Sequence, residues 1–159
     1  MSFDDWMLAL HVLSAFAFVA GLVFFWTITI AGWRTDTPEG TLRMGPLTRV
    51  AAGAIGVGAG GTIILGIWLA FSVGGYDIWD PWIVAAIVLW VIATRLGQRA
   101  NAAYTSAVTK ARELQAAGQT GPSSELLALN RTPTGLRLQI LISIVVLLIL
   151  IDMIWKPGA

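Results

Sequence analysis

Long apolar stretches separated by short polar connections dominate this chain. Trp6–Trp33 and Val50–Val73 contain no Asp, Glu, Lys or Arg. A helix rises about 1.5 Å per residue and about 20 residues cross the hydrocarbon of a bilayer, so each stretch is long enough to span a membrane. We therefore expect the first two membrane spans at these residues.

Two further apolar stretches complete the pattern. Pro81 is a favourable first residue for a helix, and an uncharged run follows it. We expect this third helix to leave the membrane near Arg99 and to continue to about Ala117. The fourth span, Leu136–Trp155, is the most aliphatic of all. The sequence thus predicts an all-α membrane protein with one domain, a four-helix up-down-up-down transmembrane bundle that covers the whole chain.

The composition excludes several other classes of protein. Hydrophobic residues make up 57% of the chain and charged residues 12%, whereas a soluble domain is about a quarter charged. The net charge of +1 gives no basis for nucleic-acid binding. The absence of cysteine excludes disulfides, thiolate metal sites, c-type haem attachment and thiol catalysis within the chain. We therefore expect the lipid bilayer to be its main partner.

The basic residues predict the orientation in the membrane. Of the ten Lys and Arg residues, all except Lys156 lie in or next to the connections between spans one and two and between spans three and four: Arg34, Arg43, Arg49, Arg95, Arg99, Lys110, Arg112, Arg131 and Arg137. The positive-inside rule places these connections in the cytoplasm. Both termini and the connection from Gly74 to Asp80 then lie on the extracytoplasmic side of a cell membrane.

Aromatic residues near the predicted boundaries fit the same orientation. We expect them to anchor the helices at the membrane surface, because amphipathic rings settle between headgroups and hydrocarbon; they are Trp6, Tyr76, Trp79, Trp82 and Trp155 outside and Trp33 inside. In the long inner connection, Ser123 or Ser124 could cap a short helix. Its leucines, Leu126, Leu127 and Leu129, would then lie on the membrane or beneath the bundle.

Small residues in span two predict a helix-packing surface. Helices in lipid associate closely where small side chains let their backbones approach. Ala52, Gly56 and Gly60 repeat at four-residue spacing, with Gly53 and Gly61 on a neighbouring line. A groove for a flat cofactor or a lipid is the alternative interpretation of this surface.

Three ionisable side chains fall inside or near the apolar spans: His11, Arg95 and Asp152. Such groups are costly in a bilayer, so they are candidates for function, although Arg95 can extend its head to the inner phosphates. His11 and Asp152 share the predicted outer layer, where a hydrogen bond between them would fix the histidine tautomer. Alternatively, Asp152 forms an ion pair with Lys156 at i, i+4 spacing, and His11 bonds a backbone carbonyl or Ser14.

The face of span one around His11 permits a haem site. Ser14 leaves space beside the ring and Phe18 could line a flat macrocycle. One histidine cannot supply both axial ligands, so a haem would be five-coordinate, use Met7 as a second ligand, or lie between two copies. His11 is also the candidate metal ligand, with Asp152, Asp77 and Asp80 as the available carboxylates.

Three short segments resemble an uncharacterised bacterial family of four-helix integral membrane proteins. They are Leu10–Leu13, Gly66–Ala70 and Met153–Pro157, and the likeness extends over nearly the whole chain. That family is loosely similar to copper-resistance membrane proteins and to the four-helix membrane protoporphyrinogen oxidase, which binds haem. The resemblance implies a role for His11. The oxidase's lysine in the later membrane helices has no counterpart here, and the soft ligands expected for copper are also missing.

Two functional hypotheses follow from the sequence. The first is a haem-binding or redox-related membrane protein in which His11 is the ligand and Asp152 its neighbour. The second is a non-catalytic accessory or assembly subunit, associating with itself or with other membrane subunits through the small residues of span two. Nucleophilic triads and phosphate-binding loops are absent from the sequence, so no enzymatic reaction is predicted.

Overall fold

The computed structural model describes residues 2–74 and 76–158, so Met1, Gly75 and Ala159 lie outside the description. The described residues form six helices and no strand: α1 (Phe3–Gly32), α2 (Pro38–Arg43), α3 (Gly45–Ser72), α4 (Pro81–Ala116), α5 (Ser124–Asn130) and α6 (Pro133–Trp155). Four helical segments, with α2 joined to α3 and α5 joined to α6, are long and apolar enough to cross a membrane. The prediction of an all-α four-helix bundle is therefore confirmed.

Local sequence signals explain where the helices begin. Ser2 and Asp5 form a reciprocal capping box at the start of α1, which satisfies backbone N–H groups that would otherwise lack partners. Proline occupies the first turn of α2, α3, α4 and α6, where its missing N–H costs no helical hydrogen bond. The helix α6 ends at Lys156, which adopts a left-handed conformation.

The four long helices form two closely packed pairs, α1 with α3 and α4 with α6. Larger side chains fill the wider seam between the pairs. The indole Nε1 of Trp26 donates to the Ser143 hydroxyl at 2.9 Å, joining α1 to α6. The Nε1 of Trp90 donates to the Ala59 carbonyl at 3.1 Å, joining α4 to α3. These two tryptophans therefore act inside the bundle rather than as interfacial anchors.

A small apolar core lies in that seam, and most large apolar side chains point outward. The buried cluster consists of Phe18, Leu22, Ile142 and Val146. Outward-facing residues such as Val57, which is 74% exposed, occur along all four long helices. Such a surface is unfavourable in water and favourable in lipid. The distribution agrees with a helical bundle whose outer surface is solvated by acyl chains.

One end of the bundle is covered by the two long connections, and we call it the capped end (residues 33–44 and 117–132). There α2 packs against α4, and α5 also packs against α4. Of the two serines that the sequence offers as a cap, Ser123 caps α5 by accepting a hydrogen bond from the Leu126 N–H. The Leu126 side chain is completely buried, and Lys110 bridges α4 to Glu125 at 2.9 Å.

At the opposite end, which we call the open end (residues 2–6, 73–80 without Gly75, and 155–158), aromatic side chains surround one lysine. Lys156 Nζ donates to the Tyr76 hydroxyl at 3.0 Å and also lies over the rings of Tyr76 and Trp82. Trp82 is 7% exposed and packs with Ala70 and Ile83. Its position differs from the predicted surface anchor because neighbouring side chains cover the indole.

Candidate functional site

The half of the α1–α3 pair nearer the open end contains the histidine that the sequence singles out. The two helices run antiparallel, and Gly58, Gly61 and Gly66 of α3 lie against side chains or backbone of α1. A Cβ added at Gly61 would lie 2.9 Å from Ser14 Cβ, and one added at Gly58 would lie 2.7 Å from Phe18 Cα. Both approaches are too close for any side chain. The helices therefore pack at backbone contact through most of this region.

Further along the same two helices, His11 of α1 packs against Gly66 of α3. A Cβ at Gly66 would be 3.1 Å from the imidazole Cε1 and 3.4 Å from Nδ1, so the absence of a side chain there provides the space for the ring. Nδ1 is buried without a hydrogen-bond partner in the described part of the chain. The backbone of Thr62 is a polar neighbour of the ring, but its geometry falls short of a hydrogen bond.

Ser14 and Phe18, which the sequence places beside His11, are used for packing. The Ser14 hydroxyl donates to its own helix, at 2.8 Å from the Leu10 carbonyl oxygen. Phe18 belongs to the buried core. Gly58 and Gly61 of α3 pack directly against both residues, so the α1–α3 seam at Ser14 and Phe18 is filled by the helices themselves. Neither residue is free to line a macrocycle inside one chain.

Asp152 lies in a different environment from His11. Its side chain is 8% exposed and borders a shallow apolar hollow between α4 and α6, with Leu89 and Trp155 among its neighbours. Its Oδ2 is buried without a partner in the described residues. Within residues 2–74 and 76–158, no side-chain hydrogen bond or ion pair joins the Asp152 carboxylate to His11 or to Lys156. The Lys156 ammonium bonds Tyr76 instead, and only its backbone N–H reaches the Asp152 carbonyl, at 2.8 Å, at the end of α6.

The described residues contain no group of three or more His, Asp or Glu side chains able to hold a metal ion. His11 therefore belongs to no such group, and of the two hairpin carboxylates that of Asp80 is used within the hairpin. Asp80 accepts a hydrogen bond from the backbone N–H of Asp77 at 3.1 Å. A metal site formed by His11 would need ligands from outside this chain.

The small residues of α3 divide between two faces. Gly61, together with Gly58, lies against α1. Gly53, Gly56 and Gly60 have open space where a Cβ would be, with no atom within 4 Å. Ala52 is exposed on the same side. We call Ala52, Gly53, Gly56 and Gly60 the open face of α3, because nothing in the described chain covers it.

The sequence analysis did not single out one buried polar side chain of α6, because its amide is not ionisable. Gln139 lies within the fourth span and is 3% exposed. Its Nε2 has no hydrogen-bond partner in the described residues. An uncharged amide in an otherwise aliphatic span was the available signal.

The fold and its apolar exterior define the class of this protein: a small polytopic membrane protein whose chain crosses the bilayer several times as helices. Comparison with protein-family models, with curated proteins and with solved structures finds no match for the chain.

Proposed function

We propose that this protein is a non-catalytic structural subunit of a membrane assembly, in which the open face of α3 packs against α3 of a second copy. The observation that carries the proposal is the open space at Gly53, Gly56 and Gly60. Gly56 and Gly60 have the four-residue spacing of small-xxx-small contacts, a common way in which membrane helices approach closely. The four-residue line begins at Ala52.

Glycine facing lipid has a cost that a contact would offset. Each interior glycine destabilises a helix by about 0.5–1 kcal/mol relative to alanine and offers no side chain for dispersion contacts. Where α1 covers Gly58, the close backbone approach offsets that cost. A second copy is the occupant we favour on the open face, because a two-fold contact sets the small residues of one α3 against those of the other.

The absence of cysteine makes this contact straightforward to test by cross-linking. In membranes, Ala52→Cys should give a disulfide-linked dimer, because the two Ala52 side chains face each other across the proposed contact. Leu147→Cys is the matched control, since Leu147 is 56% exposed on α6 and lies outside the open face. Equal cross-linking of the two variants would contradict the proposal.

Native mass measurement in mild detergent gives an independent test. The wild-type chain should be a dimer or larger, and Gly56→Leu or Gly60→Leu should disperse it to monomers that keep their helical content. A monomeric wild type, or variants with unchanged mass, would overturn the proposed α3 contact. The proposal also includes the orientation in the membrane, with both termini on the extracytoplasmic side of the cell membrane. The basic residues of the capped end support this orientation.

A haem-binding role for His11 is the second candidate, and the observation that favours it is the partly exposed imidazole, whose Nδ1 has no hydrogen-bond partner in the described residues. A haem held inside one chain does not fit the packed α1–α3 seam. The remaining arrangement is a haem between two copies, each contributing one imidazole. Purified protein supplemented with haem should then show a Soret band that disappears in His11→Ala. Colourless protein, or a band that persists in the variant, would exclude this role.

A further inference from the structure

A cavity of about 80 Å³ lies where the two helix pairs diverge at the capped end. Its lining comes from α1, α2, α4, α5 and α6 and from the residues that flank α1 and α6, and it contains no charged side chain. Three aromatic residues, Phe25, Trp33 and Tyr104, contribute to its wall. The cavity is partly open to the outside, so a molecule larger than 80 Å³ can place one end in it.

Among the fully buried polar side-chain atoms of the described residues that line this cavity, one has no hydrogen-bond partner. Asn130 Nδ2 donates to the Thr35 carbonyl at 2.9 Å and to the Thr41 hydroxyl at 3.1 Å. The Tyr104 hydroxyl is hydrogen-bonded to that of Thr48. Gln139 also lines the cavity, and its Nε2 has no acceptor in the described residues.

An amide N–H₂ in this position requires an acceptor. A buried polar group without a partner is costly, and more so at membrane depth, where water is scarce. The uncharged wall excludes an ionic ligand, since nothing in it would balance a buried charge. The aromatic lining favours an apolar or flat molecule.

We propose that this cavity binds a neutral, membrane-soluble molecule through a carbonyl oxygen, which accepts a hydrogen bond from Gln139 Nε2. Two sources present such a carbonyl at the membrane boundary: the ring of a quinone and the ester of a neutral glycerolipid. In either case the carbonyl end enters the cavity and the apolar tail extends through its open side into lipid. The site is separate from His11 and from the open face of α3.

The experiment compares thermal unfolding of the full chain in lipid nanodiscs with and without two probes, decylubiquinone and dioctanoylglycerol. The probe that binds should raise the Tm by roughly 5 °C near saturation, because a ligand of the folded state stabilises it by mass action. The probe that gives the Tm shift identifies the source of the carbonyl.

Gln139→Met is the test variant, since methionine has a similar length and cannot donate. It should fold and lose the shift. Gln119→Met, the same replacement at an exposed position outside the cavity, should keep it. If Gln139→Met fails to fold, Ala103→Leu fills the cavity without altering the amide and should abolish the shift. No shift with either probe, as expected if only water fills the cavity, would overturn the proposal, as would a shift that survives in these variants.

Discussion

The helix α3 presents small residues on two sides, and only one side has a partner in this chain. On the covered side, Gly58 lies so close to α1 that an added Cβ would be 2.7 Å from the Ser14 carbonyl oxygen. On the open face, an added Cβ at Gly56 would meet no atom within 4 Å. A side chain therefore does not fit at Gly58, whereas it fits at Gly56, two positions away.

This difference separates two roles that glycine plays in membrane helices. At Gly58 the missing side chain is required for the fold, because the backbones of α1 and α3 could not otherwise approach. At Gly56 it is not required by anything within the chain. A contact between subunits would explain its presence, and variants on the two faces can distinguish folding from association.

The largest effect is expected for Gly58→Leu. The new side chain would overlap the backbone of Phe18, which cannot move without separating the helices. We expect a loss of at least about 3 kcal/mol in the free energy of unfolding, the upper range for overpacked cores. Denaturant unfolding of the protein in detergent, followed by circular dichroism, measures it.

Gly56→Leu is the matched control for that variant, because it adds the same side chain on the opposite face of α3. Measured on the monomer, its stability should stay within about 1 kcal/mol of the wild type. Equal destabilisation by the two substitutions would show that the two faces do not differ in the way described.

A second prediction concerns the contact between Gly61 and Ser14. Gly61→Ala should cost about 1–3 kcal/mol, since its Cβ would meet the Ser14 side chain at 2.9 Å from Cβ. Ser14→Gly should recover part of this loss when combined with Gly61→Ala. A double-mutant cycle of unfolding free energies measures the coupling, and strictly additive effects would contradict the contact.

The hydrogen bond between Trp90 and the Ala59 carbonyl provides a third prediction. Trp90→Phe keeps an aromatic ring but removes the donor, leaving the seam between the helix pairs with one hydrogen bond fewer. We expect a loss of about 1–2 kcal/mol. Trp79→Phe is the control, because Trp79 is 83% exposed and its replacement should leave stability unchanged. A similar loss in the two variants would argue against a specific role for Trp90.

The apolar pattern was sufficient to predict the fold class, because in lipid the length and hydrophobicity of a segment largely determine that it forms a spanning helix. The sequence also indicated a short helix capped by Ser123 or Ser124, and the structure shows Ser123 as the cap. The helix α2 was not predicted, although Thr37 and Pro38 provide an N-cap and a favourable first residue for it.

The site was harder to predict, because a linear pattern does not specify which helices become neighbours. His11 and Asp152 share a predicted depth, yet the imidazole packs on α3 whereas the carboxylate borders a hollow between α4 and α6. The glycine pattern of α3 likewise identified small residues without indicating that Gly58 and Gly61 would meet α1. The shared depth of His11 and Asp152 stays a prediction, and the sequence did not specify how each helix is rotated about its axis.

The smallest effect is expected for Gly53→Ala. Its direction distinguishes the open face of α3 from the face that α1 covers. Gly53 has open space around it, so a methyl group adds no clash and removes the conformational cost of glycine. We expect the monomer to gain about 0.5–1 kcal/mol in unfolding free energy. Gly58→Ala is the matched substitution on the covered face and should instead destabilise, because its methyl group meets the backbone of Phe18. If both alanine variants were stabilised in the monomer, the close approach of α1 and α3 at Gly58 would be wrong.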